Sequence, residues 1–86
     1  MQFEGAVVKE QGIVFAIVIV KSYVLNSSRE CDETRNSFRS VFPGMPIILM
    51  AQDSNGTPTY QGRKDIVAFL ANIDPSRIPW KKYTLN

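Results

Sequence analysis

Histidine is absent from this chain of 86 residues, and cysteine occurs only once. Without histidine, neither a Ser-His-Asp triad nor a Cys-His pair can form. A single cysteine cannot make an internal disulfide bond, and it cannot complete a zinc site that is built from cysteine and histidine ligands. We therefore expect no bound metal and no cofactor. Carboxylate and lysine chemistry stay open, but the sequence favours a protein that is not an enzyme.

The excess of charge of one sign is also small, with ten basic and eight acidic side chains and a net charge of +2. Domains that hold nucleic acid through its phosphates usually have a larger basic excess. The longest apolar run is too short for a bilayer, which requires roughly 20 residues, and it is not placed as a signal peptide. We expect a soluble cytoplasmic protein with no membrane partner, and nucleic acid is a disfavoured partner.

The apolar run at residues 13–20 is the strongest structural signal in the chain. A strand with one wet face alternates polar and apolar side chains, and this run does not alternate. Both faces of the predicted strand should therefore be buried. Because a domain of this size buries only about 60–65% of its unfolded surface, we expect a second copy to provide part of the cover.

Turn and helix signals divide the rest of the chain. Ser27 and Glu30 form a capping box at the start of an amphipathic helix, and Asn55-Gly56 is typical of a hairpin turn. Pro58 assigns the return strand to an edge of the sheet, because proline cannot donate to a ladder. The predicted elements are strands at 3–8, 13–25, 47–51 and 57–61, a helix from 28 to about 41, and a helix at 63–72.

This order predicts a single α+β domain at residues 1–75. We expect a two-layer β-β-α-β-β-α sandwich, whose four-stranded sheet is mixed or antiparallel and carries both helices on one face. Residues 76–86 are expected to form an extended tail, which packs on the domain or on a partner.

Gly44-Met45-Pro46 precedes an apolar strand, and Asn55-Gly56, Gly62 and the apolar helix positions 66–70 follow it. In this order, residues 44–73 resemble the C-terminal half of the thioredoxin-like fold. The resemblance implies a cis bond between Met45 and Pro46 next to a redox site. The Cys-x-x-Cys pair of that family is missing, so its oxidoreductase activity is not carried over to this chain.

Cys31 is the one candidate thiol. It lies in the first turn of the predicted helix, where the helix dipole can lower a thiol pKa. Three acidic neighbours, Glu30, Asp32 and Glu33, oppose formation of a thiolate. Because Cys31 also lies on the apolar stripe of the helix, the sequence favours a buried small hydrophobic residue over a reactive thiol.

Aromatic and basic residues near the C-terminus form the second candidate site. Trp80 and Tyr83, with Tyr60 on the predicted edge strand, are the expected contact residues for a protein partner. The same aromatic residues, together with nearby cations, could stack bases and hold phosphates of a single strand. The cations in question are Arg63, Lys64, Lys81 and Lys82.

These patterns together indicate a non-catalytic interaction or accessory module. We expect it to form a homodimer, either by burying the second face of the sheet or by joining edge strands. Another protein is the alternative partner. The alternative functions are a thiol role for Cys31 in a thioredoxin-like relic and weak binding of single-stranded nucleic acid.

Overall fold

The computed structural model describes residues 1–10 and 12–85 of the chain, which fold into five strands and two helices. Short 3₁₀ turns lie at Ser22–Asn26 and Pro75–Arg77. In chain order, the elements are β1 (Gln2–Glu10), β2 (Ile13–Ile19), α1 (Ser28–Ser37), β3 (Ile47–Gln52), β4 (Pro58–Gln61), α2 (Lys64–Leu70) and β5 (Lys81–Thr84).

The strands form one mixed sheet in the order β4-β3-β2-β1-β5. β1 and β2 are an antiparallel hairpin, and α1 connects β2 to its parallel neighbour β3. β4 returns antiparallel to β3 and lies at an edge, as Pro58 predicted. The predicted α+β class is confirmed, and so is the order of the first six elements. The prediction of four strands is wrong, because the tail forms β5 against Gln2–Gly5 of β1.

Both faces of the central strand β2 are buried from Phe15 to Val18, as the apolar run predicted, whereas Val14 near its start is 40% exposed. Phe15 and Ile17 face α2, whereas Ala16 and Val18 face α1. We call these two sides of the sheet the α2 face and the α1 face. The prediction that both helices lie on one face is therefore wrong. One chain covers β2 twice, because the crossover helix α1 lies on one face while α2 and the first part of the tail, with Ile78 and Trp80, lie on the other.

On the α1 face, four aromatic rings join the tail to β1 and to the segment that follows α1. The Phe3 ring lies between Phe38, at a centroid distance of 4.6 Å, and Tyr83, at 5.3 Å. Phe42 contacts Tyr83 edge-on at 5.1 Å. Aromatic pairs at these separations add about 0.5–1.5 kcal/mol beyond their buried area. This cluster therefore holds β5 and the segment that follows α1 against the same end of β1.

On the α2 face, Ile66 and Leu70 of α2 pack over the middle of the sheet, next to Ile78. The indole of Trp80 covers the same core, and its Nε1 donates a hydrogen bond to the Pro75 carbonyl at 2.9 Å. The segment after α2 therefore packs on its own chain.

Three local expectations differ from the structure. The first helix was predicted to reach about residue 41 but ends at Ser37, where the N–H of Phe38 bonds to the Arg35 carbonyl and closes the last turn. The predicted strand at 13–25 ends at Ile19, because the polar residues that follow it turn the chain into the 3₁₀ segment. Every described peptide bond is trans, including the bond between Met45 and Pro46. The cis bond that the family resemblance implied is therefore not present.

Arg35 ties α1 to the sheet. Its side chain is only 13% exposed, and its Nε donates to the Ile47 carbonyl at 2.9 Å. The guanidinium also bonds the backbone carbonyl of Gln61 at 3.3 Å, the side chain of Gln61, and Asp32. One cation thus connects the helix to the first residue of β3 and the last residue of β4.

Replacing Arg35 with methionine is expected to lower the free energy of unfolding by about 1–3 kcal/mol, because the Ile47 and Gln61 carbonyls lose their donor. Arg39→Met is the matched control, since Arg39 is exposed and its Nε reaches only the side chain of Asn36. We expect that control to change stability by less than about 0.5 kcal/mol. Urea unfolding followed by circular dichroism measures both, and equal losses would contradict the assigned role.

Candidate functional site

The three aromatic residues predicted as contacts do not form one surface. Tyr60 is in β4 and Tyr83 in β5, so they occupy opposite edges of the sheet, roughly 19 Å apart at four strand spacings. Trp80 and Tyr60 pack on the α2 face and Tyr83 packs on the α1 face. All three rings are partly buried in the core of this chain, and they serve there as packing residues.

The four candidate cations are also divided between two places. Arg63 pairs with Asp65 at 2.8 Å, and Lys64 begins α2. Lys81 and Lys82 are successive residues of β5 at the far side of the sheet, so their side chains point to opposite faces. The Lys81 ammonium lies 5.4 Å from the centroid of the Tyr83 ring. The fold does not bring these cations into one groove.

Cys31 lies inside the α1-face core, with an exposed fraction of 1%. Its Sγ donates to the Val24 carbonyl at 3.4 Å. A buried thiol that already donates a hydrogen bond is poorly placed to become a nucleophile. Within the described residues, no group of three or more Cys, Asp or Glu side chains could hold a metal ion, and no helix is long and apolar enough to span a membrane.

The feature that the sequence did not reveal is an unpaired length of β1. β5 pairs with β1 over Gln2–Gly5 only, whereas β1 continues to Glu10. In the described part of the chain, residues 6–10 therefore have a strand neighbour on one side alone. We call the outer side of residues 6–10 the open edge.

The hydrogen bonds at the start of β1 show which residues point outward there. Met1 and Leu85 exchange both backbone bonds, with Met1 N to Leu85 O at 3.1 Å and Leu85 N to Met1 O at 2.7 Å. Backbone groups alternate sides along an antiparallel strand, so the odd-numbered residues of β1 face outward. The N–H and C=O groups of Val7 and Lys9 thus point away from β2 along the open edge.

Exposed apolar surface accompanies the open edge on the α1 face. Val7 is 39% exposed and Val14, opposite Lys9 in the next strand, is 40% exposed. Only Met1 and Tyr23 are comparable among the described large hydrophobic residues. The two valines lie beyond the reach of α1, which covers the other half of that face.

A groove of about 390 Å³ accompanies the open edge on the α2 face. We call it the α2 groove. It runs between the end of α2 and the segment that leads to β5. Its apolar lining includes Val8, Phe69, Ile73 and Pro79, and its charged lining consists of Glu10 and Arg77.

Glu10 and Arg77 take part in none of the three ion pairs of the described residues. The turn that carries Arg77 is fixed by Asp74, whose Oδ1 accepts hydrogen bonds from Ser76 N at 3.0 Å and Ser76 Oγ at 2.9 Å. These bonds, with a smaller contribution from the Arg77 charge, hold the pKa of Asp74 below its usual value. The groove therefore has one anion, Glu10, and one cation, Arg77, that form no ion pair among the described residues. The hydrogen bonds of Asp74 fix the turn that carries Arg77.

The other strand edges are less open to pairing. Pro58 removes a backbone donor from β4, and β5 is only four residues long; proline and short length are both devices by which natural sheets prevent edge pairing. Comparison with known proteins finds no matching family model, no similar curated protein and no similar solved structure. The open edge is therefore identified from its own geometry.

The burial of Cys31 gives a testable result. We expect the native thiol to react with a disulfide reagent at least about a hundredfold more slowly than in denaturant, because the reagent must await an opening of the core. A Cys31→Ser, Tyr23→Cys variant is the control, since position 23 is 60% exposed and its thiol should react at the unfolded rate. Fast native labelling of Cys31 would restore the thiol hypothesis.

The hydroxyl of Tyr60 gives a second result. It is buried and has no hydrogen-bond partner among the described residues, and burial raises its pKa above the usual 10.0. The folded state therefore keeps the proton longer than the unfolded state, and this contribution to stability is present below pH 10 and is lost as the pH rises further.

Tyr60→Phe is consequently expected to leave the free energy of unfolding at neutral pH unchanged or to raise it by up to about 1 kcal/mol. Above pH 10 its stability should decline less steeply than that of the wild type. Tyr23→Phe, at an exposed position, should alter neither quantity. Urea titrations at neutral and alkaline pH test this, and a clear loss of stability at neutral pH would show that the hydroxyl has a partner.

Proposed function

We propose that this chain is a non-catalytic protein-interaction module that forms a homodimer through the open edge of β1. The observation that carries the proposal is the unpaired backbone of Val7 and Lys9, in a strand that continues beyond β5. Backbone groups of this kind are a template for an added strand, and such additions are a common mode of protein recognition.

The flanking surfaces support an added strand. Side chains of a strand alternate between faces, so an added strand would direct alternate residues onto Val7 and Val14 and into the α2 groove. Backbone hydrogen bonds would provide affinity there, and the apolar surfaces on each side would provide further burial.

The fold changes the reason for expecting a dimer. Because α1 and α2 cover the two faces of the sheet, a second copy is not needed to bury either face of β2. Edge pairing is the remaining route to self-association. The burial of Cys31 and the separation of Arg63 and Lys64 from Lys81 and Lys82 favour this module over thiol chemistry or nucleic-acid binding.

Val7→Pro tests the proposal directly. The Val7 N–H points outward, so proline removes no ladder bond within the chain but blocks pairing at the open edge. We expect the wild type to dimerise between micromolar and millimolar concentration and the variant to remain monomeric with a native circular dichroism spectrum. Sedimentation velocity measures the association.

Val7→Thr is the matched control, because threonine keeps the N–H group and the β-branched shape. It should dimerise about as strongly as the wild type. A wild-type chain that stays monomeric to millimolar concentration would overturn the proposal. So would a folded Val7→Pro variant that dimerises as strongly as the wild type.

A further inference from the structure

We infer that two copies pair their β1 strands about Val8, so that Glu10 of each copy faces Arg77 of the other. This inference rests on the proposed function and specifies its geometry. In this dimer, the α2 groove is the part of the surface that selects the partner strand.

The register follows from the length of the open edge and from the fact that its odd-numbered residues direct their backbone groups outward. The edge runs from Ala6 to Glu10, and β5 blocks further pairing at Gly5. A twofold axis at Val8 uses the whole of this length, because it places Ala6 opposite Glu10 of the other copy. It also places Val7 opposite Lys9, and these are the residues whose backbone groups point outward, so they can form the hydrogen-bonded pairs of an antiparallel ladder.

Other registers use the edge less well. An axis at Val7 would place Lys9 opposite Gly5 of the other copy, whose outward groups already bond to Lys81 of β5. An axis at Lys9 would run the pairing past Glu10 into the turn at the end of the hairpin. Pairing about Val8 is the arrangement in which both outward residues of each copy are matched.

The charges on the α2 face favour the same register. Even-numbered residues of β1 point to this face, as the packing of Ala6 and Val8 shows. Glu10 of one copy would lie opposite Ala6 and beside Val8 of the other, and Val8 lines the α2 groove together with Arg77, the cation of that groove. Each copy thus offers one anion and one cation, and twofold symmetry pairs them twice.

The Val8 side chains would meet at the axis. Each lines the α2 groove of its own copy, as Phe69 and Pro79 also do. Contact between the two valines would cover the apolar side of both grooves. The partner that fits this surface is therefore a second copy of the same strand, with a small β-branched residue at the centre and an acidic residue two positions later.

Cysteine crosslinking tests the register. In a Cys31→Ser background, Val8→Cys should form a disulfide-linked dimer on mild oxidation, because residues opposite each other in a non-hydrogen-bonded pair have Cα atoms about 4.5 Å apart, within disulfide range. Val7→Cys alone should crosslink poorly, because its copies would be about 8 Å apart. An equal mixture of Val7→Cys and Lys9→Cys should give the mixed disulfide.

Charge reversal tests the pairing of Glu10 with Arg77. Arg77→Glu and Glu10→Arg should each weaken the dimer about tenfold or more at low salt, because each places like charges together. The double variant restores opposite charges and should recover most of the wild-type affinity. Lys82→Glu, on the same face but away from the groove, is the control and should have a much smaller effect.

The outcomes separate this inference from the proposed function. A wild-type chain that does not dimerise removes both. A dimer that Val7→Pro abolishes, but in which Val7→Cys crosslinks better than Val8→Cys, retains the open edge and overturns the register. Failure of the double charge variant to recover affinity overturns the ion pair.

Discussion

The structure depends on the burial of β2 from both sides. A strand that is apolar on both faces cannot meet water, and its hydrogen-bonded neighbours β1 and β3 protect only its edges. The chain meets this constraint by placing α1 and α2 on opposite faces of the sheet. The parallel arrangement of β2 and β3 fits this constraint. Parallel neighbours need a crossover connection, and here the crossover helix α1 provides one of the two covers.

The sheet that results has unequal edges. One side ends in the short strand β4, which proline protects, and the other side is divided. β5 covers the first half of β1, where Phe3 and Tyr83 stack, and leaves the second half without a neighbour. The tail cannot cover more of β1, because its earlier residues pack on the α2 face, where Ile78 is buried and Trp80 is partly buried. The open edge therefore exists because the first part of the tail is used to cover the α2 face and only its last residues pair with β1.

This division connects the core to the proposed function. An edge strand in a soluble protein is normally blocked or charged. The open edge carries the charged residues Lys9 and Glu10, but no strand blocks it among the described residues, and it is accompanied by exposed valines on one face and by a groove on the other. Apolar surface next to unpaired backbone is the combination that strand addition uses. In the proposed dimer, Glu10 and Arg77 of the groove would add a source of specificity, because opposite charges that meet only in one register disfavour the others.

The sequence alone determined the local elements. The apolar run predicted a strand that is buried on both faces. The Ser27 cap predicted the start of a helix, and Pro58 predicted an edge strand. The absence of histidine excluded whole classes of catalysis. Periodicity indicates which side of an element is buried, but it does not indicate which other element packs on that side. The sequence therefore could not predict that the two helices lie on opposite faces of the sheet. The fifth strand was missed because Lys81–Thr84 is only four residues long and is held by Phe3, which stacks on Tyr83 from about eighty positions away. The open edge arises from the difference in length between two strands that are paired across the whole chain, and only the tertiary structure could decide where that pairing stops.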